Sequence, residues 1–417
     1  MRQLFLIDDT IVNKISYYLL ACFLIFLPFR MLYSELVLIG LGLHTLVNFK
    51  IKRVRLLLNM HVIVMTSLYL LGLIGILYSP DIKEAINVAG RQLAILIFPV
   101  LLVLNGIDLN KYKPGLLKIF GLTCVATILY LYTAAFLAIY YGHLPLISLF
   151  SPDFINQNFS LPIQLHATYL SMYATLAVTI FLYLFQKYNR LTKRIFYSAC
   201  IIILLAGIIQ LSSRAALIAL LLIINITFPV FLLGRKKRIL VITTATILSA
   251  VTLFSIYNID SFKSRYVGQL KNELGMDTMN AEFTEPRLER WKAEMELIQK
   301  SPVFGYGSGS EKELLKKKFF EKKFYIPYAR NFNSHSQYLS FLLNMGMLGL
   351  AGYLFVLCYG ISFAWKQKDF IFLGFMIIIS VVSFSENILF LNKGIFFYSF
   401  FLSLFLLTRN NSVNGVT

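Results

Sequence analysis

Three short stretches hold the residues best suited to chemistry. In IIQLSSRAALIALL, Arg214 follows two serines at a turn between two apolar runs. A guanidinium fixed there could grip a phosphate bidentately, with Ser212 and Ser213 adding hydrogen bonds; the same arginine can equally be a snorkelling anchor at a membrane interface. In EPRLERWKAEMELIQKSP, residues 285–302, Arg287 and Arg290 flank a stripe of Leu288, Trp291, Met295 and Ile298 at helical spacing, and Pro286 suits a helix start. In NFNSHSQYLSFLLNMGMLGL, residues 331–350, His335 stands directly before a long apolar run. Ser334 and Gln337 fit an S-x-x-Q capping box, which predicts Ser334 as N-cap and His335 as the first helical residue. The partial positive charge of a helix N-terminus disfavours imidazolium, so the ring would be neutral and able to accept a proton. A histidine so placed can also serve only as a cap or a hydrogen-bonding group. The chemistry on offer is anion binding and proton transfer.

Other polar residues are weaker candidates. Arg91 lies about a turn inside an apolar run, His166 and Tyr169 open another, and Glu386 ends a third. An acid in such a setting hints at function, although many only pair with a neighbouring helix. In EKELLKKKFFEKKF, Lys316, Lys317, Lys318, Lys322 and Lys323 interleave with three phenylalanines. This reads as a solvated helix face or as a patch attracting an anionic lipid or glycolipid. FGYGSGS, 304–310, lacks the Lys-Ser/Thr and the preceding strand of a phosphate loop and reads as a flexible turn. Gly346 and Gly349 suit close helix packing. Cys22, Cys124, Cys200 and Cys358 are scattered through apolar runs and read as small buried hydrophobes, so neither metal nor redox chemistry is expected.

The elements that would position these residues are membrane helices. Of the 417 residues 58% are hydrophobic and 14% charged, and mean hydropathy is +0.71, far from a soluble domain. Apolar stretches near 15–29, 31–48, 60–79, 89–106, 116–141, 165–186, 195–212, 214–234, 238–257, 336–364, 369–386 and 389–408 can each cross a bilayer core of about 30 Å. The fold class is therefore all-α and polytopic, with about twelve spans. No small-residue cleavage site follows the first stretch, which reads as a retained span.

The net charge of +19 mostly encodes orientation rather than nucleic-acid binding. Twenty basic residues, from Arg2 to Arg409, fall on one set of short segments, against five on the other: Arg30, Lys83, Arg91, Arg214 and Lys393. The positive-inside rule then puts both termini in the cytoplasm. One long outward loop, about 258–335, holds the remaining fourteen basic residues and eleven acids. The chain divides into spans one to nine (1–257), this loop (258–335), and spans ten to twelve with a cytoplasmic tail (336–417).

SSRAAL before a span, an R-x-x-x-W helix from Arg287 to Trp291 followed by SPVFGYGSG, and SHSQYLSFLLNMGMLGL entering the next span together resemble the O-antigen ligase and polymerase superfamily. The likeness covers about 200–350 by motif and the whole chain by topology. Ser336 departs from it, since many relatives have asparagine directly after the histidine. The resemblance implies a metal-independent, inverting glycosyltransferase without a cofactor, on the periplasmic face of a bacterial inner membrane. Its donor would be a glycan on undecaprenyl diphosphate, and its acceptor lipid A-core oligosaccharide (ligase) or another lipid-linked repeat (polymerase). Arg214 and Arg287 match the arginines that hold the diphosphate and His335 matches the base. Arg290, Arg91, His166, Tyr169, Glu386, Lys316 and Lys317 are further substrate-binding candidates. The basic loop inclines the reading to a ligase with a phosphorylated glycolipid acceptor. A lipid-linked-glycan transporter is the competing class; it would place charges at the bilayer midplane and show paired repeats, and the sequence shows neither.

Overall fold

The computed structural model describes residues 7–274 and 286–408. Arg2, Arg409 with the tail beyond it, and Glu285 lie outside the described residues. Among those described, all regular structure is helical. A chain this apolar must satisfy its backbone polar groups within each segment, and helices do so.

Each of the twelve apolar stretches is helical. They are α1 (Ile11–Phe26), α2 (Met31–Val47), α3 (Met60–Ile76), the nearly continuous α4 (Ile82–Gln92) and α5 (Ala94–Asn105), α6 (Leu109–Tyr141), α7 (Ala167–Lys187), α8 (Leu191–Leu211), α9 (Arg214–Leu222), α10 (Arg235–Tyr257), and finally α13 (Gln337–Lys366), α14 (Phe370–Val382) and α15 (Asn392–Leu406). Between α10 and α13 lie α11 (Arg287–Ile298) and α12 (Glu311–Glu321). α9 runs through a π-helical turn, Ile223–Thr227, into Phe228–Leu232.

Among the described residues, seven helical stretches are long and apolar enough to cross a membrane, counting α4 with α5 as one and α9 with its continuation to Leu232 as one, or eight if Met31–Val47 and Ile51–Leu58 form one bent span. α1, α3, α14 and α15 are apolar but run only 13–17 residues, short of the roughly 20 that a full crossing takes. α2 is bent by 119° against the following turn, Ile51–Leu58.

α7 is buried along most of its length and forms the centre of the bundle. Beside it, Phe120, Phe397, Phe401 and Phe405 make a ladder of tilted, edge-on and stacked rings with centroids 4.7–6.2 Å apart. Asp side chains cap α4, α6 and α14. A buried Lys113–Asp369 pair at 2.7 Å ties α6 to the start of α14. Cys124 and Cys200 are buried, whereas Cys358 is exposed on α13.

α11 and α12 pack on the first turns of α13 around a small second core of Leu297, Ile298, Leu315, Phe319 and Leu343. The buried face of α11 is not the expected stripe. Glu294 is buried with Ala293, Leu297 and Ile298, while Leu288 and Met295 are each 38% exposed. The polar groups described below draw Glu294 inward and turn the helix.

The segment 304–310 is not a flexible turn either. α13 kinks at Gly346 (φ +60), which frees carbonyls of the preceding turn. Tyr306 N and Gly307 N donate to Leu343 O and Asn344 O at 3.1 and 2.7 Å, and Met347 N donates to Pro302 O at 2.8 Å. On the other side Ser308 N reaches Gly75 O of α3 at 3.0 Å, and Ser308 Oγ reaches Gly72 O at 2.6 Å. The glycines act as close-packing positions in a strap between α3 and α13. Gly346 packs closely as expected, but against the backbone of Val303 and Phe304 rather than another helix.

Gly307 has φ +92, and a Cβ there would lie 2.5 Å from the Cα of Ser79. Gly307→Ala is therefore expected to cost ~2 kcal/mol or more. A thermal-unfolding midpoint equal to that of the parent protein would show that the strap yields easily.

Candidate functional site

His335 lies in the chain between α12 and α13, and buried acids fix that chain. Glu311, at the start of α12, accepts from Ser334 N at 2.9 Å, Ser334 Oγ at 2.6 Å, Asn387 Nδ2 at 3.1 Å and Asn344 Nδ2 at 3.3 Å, and from the Ser340 hydroxyl. Ser334 Oγ is also 2.7 Å from Glu294 Oε1. One hydroxyl carries one proton, so it cannot donate to two carboxylates at once. Burial, then repulsion from Glu311, raises the Glu294 carboxyl well above its usual range. Glu294 is thus the protonated member: it donates to Ser334 Oγ, which donates to Glu311.

This network changes how α13 begins. Ser334 is not its N-cap, because the hydroxyl is taken by the two acids, and Gln337 Oε1 accepts from Leu389 N at 2.8 Å instead of reaching back. The helix starts at Gln337, after Ser336, whose side chain makes no capping bond. His335 stands two residues before the helix in the left-handed region (φ +47). The helix-dipole argument for its protonation state therefore does not apply. Its N–H donates to Asn333 Oδ1 at 3.0 Å, and Trp291 Nε1 donates to Ser334 O at 2.8 Å.

The imidazole faces the chain after α14. His335 Nδ1 is 3.9 Å from Glu386 Oε2, an electrostatic contact too long for a hydrogen bond. Burial alone would raise the Glu386 carboxyl, but the interaction with His335 and the fields of His166, His335 and Arg287 outweigh it and leave the group below its usual value. Thr168 donates to the same carboxylate at 3.4 Å. His166 caps α7, its Nδ1 accepting from Thr168 N at 3.4 Å, and burial lowers its pKa despite the nearby Glu386. Tyr169 donates to Asn387 O at 3.4 Å. The Arg290 guanidinium lies over Phe332, 4.9 Å from its centroid, and Phe332 stands edge-on to His335.

Beside this group is a cluster of arginines. Arg214 Nη2 is 2.5 Å and Arg287 Nη2 3.8 Å from one oxygen of Glu273. Arg287 also reaches Ser385 O at 3.5 Å, next to Glu386. Arg265 belongs to the cluster: burial, then the charge of Arg214, lowers its pKa, with Glu273 opposing and Arg287 reinforcing. Arg214 Nη1, Arg265 Nε and Arg287 Nε are buried with no protein acceptor. Two guanidiniums on one carboxylate, with the Arg265 charge felt nearby, leave net positive charge and open donors, the composition of an anion site. Ser212 adds nothing here, because its hydroxyl turns back to Ile209 O at 3.0 Å.

The structure thus brings Arg214, Arg287, Arg290, His335, Glu386, His166 and Tyr169 together. Arg91 lies elsewhere, paired with Glu84 at 2.8 Å over the Phe390 ring. Lys316 lies over Tyr328, and Lys317 pairs with Glu313 at 2.6 Å. Lys318 and Lys322 both pair with Glu296, so acids of the same region offset much of the basic run. Among the described residues no group of histidine, cysteine and acidic side chains is arranged to hold a metal.

Sequence reasoning missed Arg265, Glu273, Glu294 and Glu311. Glu294 did carry a signal, since it falls three residues after Trp291 and four before Ile298, on the apolar stripe. Glu311 stood at the head of the lysine-rich helix with nothing to set it apart from the other acids there, and Arg265 and Glu273 belong to short helical turns without a distinguishing pattern.

Residues 199–354 match the family model described as O-antigen ligase, so the resemblance stated from the motifs holds over that region. It contains Arg214, Arg265, Glu273, Arg287, Glu294, Glu311 and His335 but not Glu386 or His166. No curated protein compared with the chain matches it.

A carboxyl whose folded pKa is raised contributes its stability below the unfolded value of about 4.5 and loses it as pH climbs towards the folded value. Glu294→Gln keeps a neutral side chain and has no proton to lose. Thermal melts from pH 5 to 8 should show the parent protein falling relative to this variant, by at most about 1.4 kcal/mol per pH unit. Parallel curves would mean that Glu294 does not carry the proton.

Proposed function

We propose, from the match of residues 199–354 to the O-antigen ligase family model, that this chain is a membrane-embedded enzyme of the ligase and polymerase type and transfers a glycan from undecaprenyl diphosphate to an acceptor hydroxyl. The transfer is an inverting displacement that needs no metal, on the periplasmic face of the inner membrane, within loop 258–335 and the span ends around it. The observation that carries this reading is the convergence of Arg214, Arg265 and Arg287 beside the His335–Glu386 pair.

The acceptor oxygen attacks the anomeric carbon, the bond from that carbon to the phosphate oxygen breaks, and the electron pair leaves on the diphosphate. Arg214 and Arg287 stabilise that charge, each such preorganised donor being worth ~3 kcal/mol. The anionic Glu386 facing Nδ1 favours the tautomer with hydrogen on that nitrogen, which leaves Nε2 free to take the hydroxyl proton. General-base assistance of this kind contributes roughly 10²–10⁴-fold. Energy for transfer already resides in the sugar–diphosphate bond, so no nucleotide is needed outside the cytoplasm.

Lipid A-core oligosaccharide is the acceptor in the ligase reading. A polymerase reading, with a second lipid-linked repeat as acceptor, gains from the pairing of Lys317, Lys318 and Lys322 with Glu313 and Glu296, which weakens the case for a phosphorylated acceptor. A strain lacking the gene separates them: a ligase defect strands long chains on undecaprenyl diphosphate, and a polymerase defect leaves core capped by a single repeat.

His335→Ala, Arg214→Ala and Arg287→Ala are each expected to lower transfer by about 10²-fold or more at normal membrane abundance. Near-full activity of the His335 variant would remove it as the base, and near-full activity of both arginine variants would remove the diphosphate site.

A further inference from the structure

A cavity of about 340 Å³ lies on another side of the segment that carries His335. Its walls come from α4, the end of the strap, the start of α12, residues 331 and 333, the start of α13, and residues 389–390. None of Arg214, Arg265, Arg287, His335 or Glu386 lines it. It shares Asn333, Gln337 and Glu311 with the network around His335, and Asn333 Oδ1 accepts the His335 backbone N–H at 3.0 Å.

We propose that this cavity binds one or two neutral sugar rings of the acceptor glycan and so anchors the acceptor against the segment that carries His335. Three features of the lining support this. First, Gln92, Asn331, Asn333, Gln337 and Asn344 are amides; Asn344 is committed to Glu311 and Ser340, but Gln92, Asn333 and Gln337 each use one end of the amide within the protein and keep the other to meet a sugar hydroxyl, which both donates and accepts. Second, the charges cancel: Arg91 and Lys312 stand against Glu84 and Glu311, and Arg91 is already paired with Glu84 at 2.8 Å. Such a lining offers an anion no advantage, in contrast to the arginine cluster. Third, Phe341, Met345 and Leu389 supply an apolar surface for the C–H face of a pyranose. The volume falls near the lower end of the ~300–1,000 Å³ typical of ligand sites, which suits a ring or two and not a whole repeat.

The assignment to the acceptor rests on the transfer reading above. In an inverting displacement the hydroxyl enters opposite the leaving group, so the acceptor sugar is held away from the arginines that hold the diphosphate. A wall built on the base-bearing segment meets that condition.

The test uses the full chain in lipid nanodiscs and saturation-transfer NMR with methyl glucoside, methyl galactoside and N-acetylglucosamine as probes, and with inorganic pyrophosphate as competitor. At least one neutral sugar should show saturation transfer that pyrophosphate does not displace and that persists in His335→Ala and Arg214→Ala. Val88→Trp, which fills the cavity from α4, should abolish the signal. If that variant does not fold, Asn331→Ala serves instead and should weaken binding about threefold to tenfold, the effect of one lost hydrogen bond. Absence of signal for all three sugars, a signal that pyrophosphate displaces, or one indifferent to the cavity variants would overturn the proposal. Transfer activity in His335→Ala would sink the catalytic reading while leaving this binding result intact, so the two failures are distinguishable.

Discussion

The site depends on the carboxylate of Glu311. Its donors come from the chain beside His335 (Ser334), from α13 (Ser340 and Asn344), and from the chain beside Glu386 (Asn387). One buried anion therefore sets both halves of the His335–Glu386 pair without touching either. A buried charge is tolerable only when its acceptor capacity is met, and here it is met by groups from three segments. Removing it would leave several buried donors unpartnered at once. Glu294 completes the arrangement by staying neutral, so that Ser334 meets a single anion.

The electrostatic layout separates tasks by position. Guanidiniums gather around Glu273, an imidazole and a carboxylate face each other next to them, and a lining of amides with balanced charge lies beyond. The left-handed backbone of His335 is costly for a residue with a Cβ and persists because its neighbours over-determine it: Asn333 holds its N–H, and Trp291 and Glu311 hold Ser334. Local strain of this kind is found where a side chain must point in one direction.

Much of the fold was legible from hydropathy, because lipid imposes helices on every long apolar run and leaves few other solutions. The twelve helical stretches, Arg214 at a tight turn and the helix after Pro286 all followed from local pattern. What failed was tertiary. Ser334 matched a capping motif, yet two acids from distant helices claimed its hydroxyl; 304–310 looked flexible because glycine is, yet φ values of +67 to +92 against neighbouring backbone make it a packing element. Arg265 and Glu273 drew no notice because a charged residue in a short helical turn acquires meaning only from what the fold sets beside it. Glu294 could have been suspected from its place on an apolar stripe.

The strap between α3 and α13 has a consequence for the order in which the molecule can be completed. Gly72 lies 236 residues ahead of Ser308, and Tyr78, which donates to Phe304 O at 2.8 Å, precedes it by 226. During synthesis α3 is made long before the strap and the kinked helix after it that pack against it. Glu386 and Asn387 come later still. A chain halted before residue 386 contains every arginine of the cluster and the histidine, but neither the carboxylate that faces His335 nor the Asn387 amide that bonds Glu311. The proposed site is therefore among the last parts of the molecule to be completed.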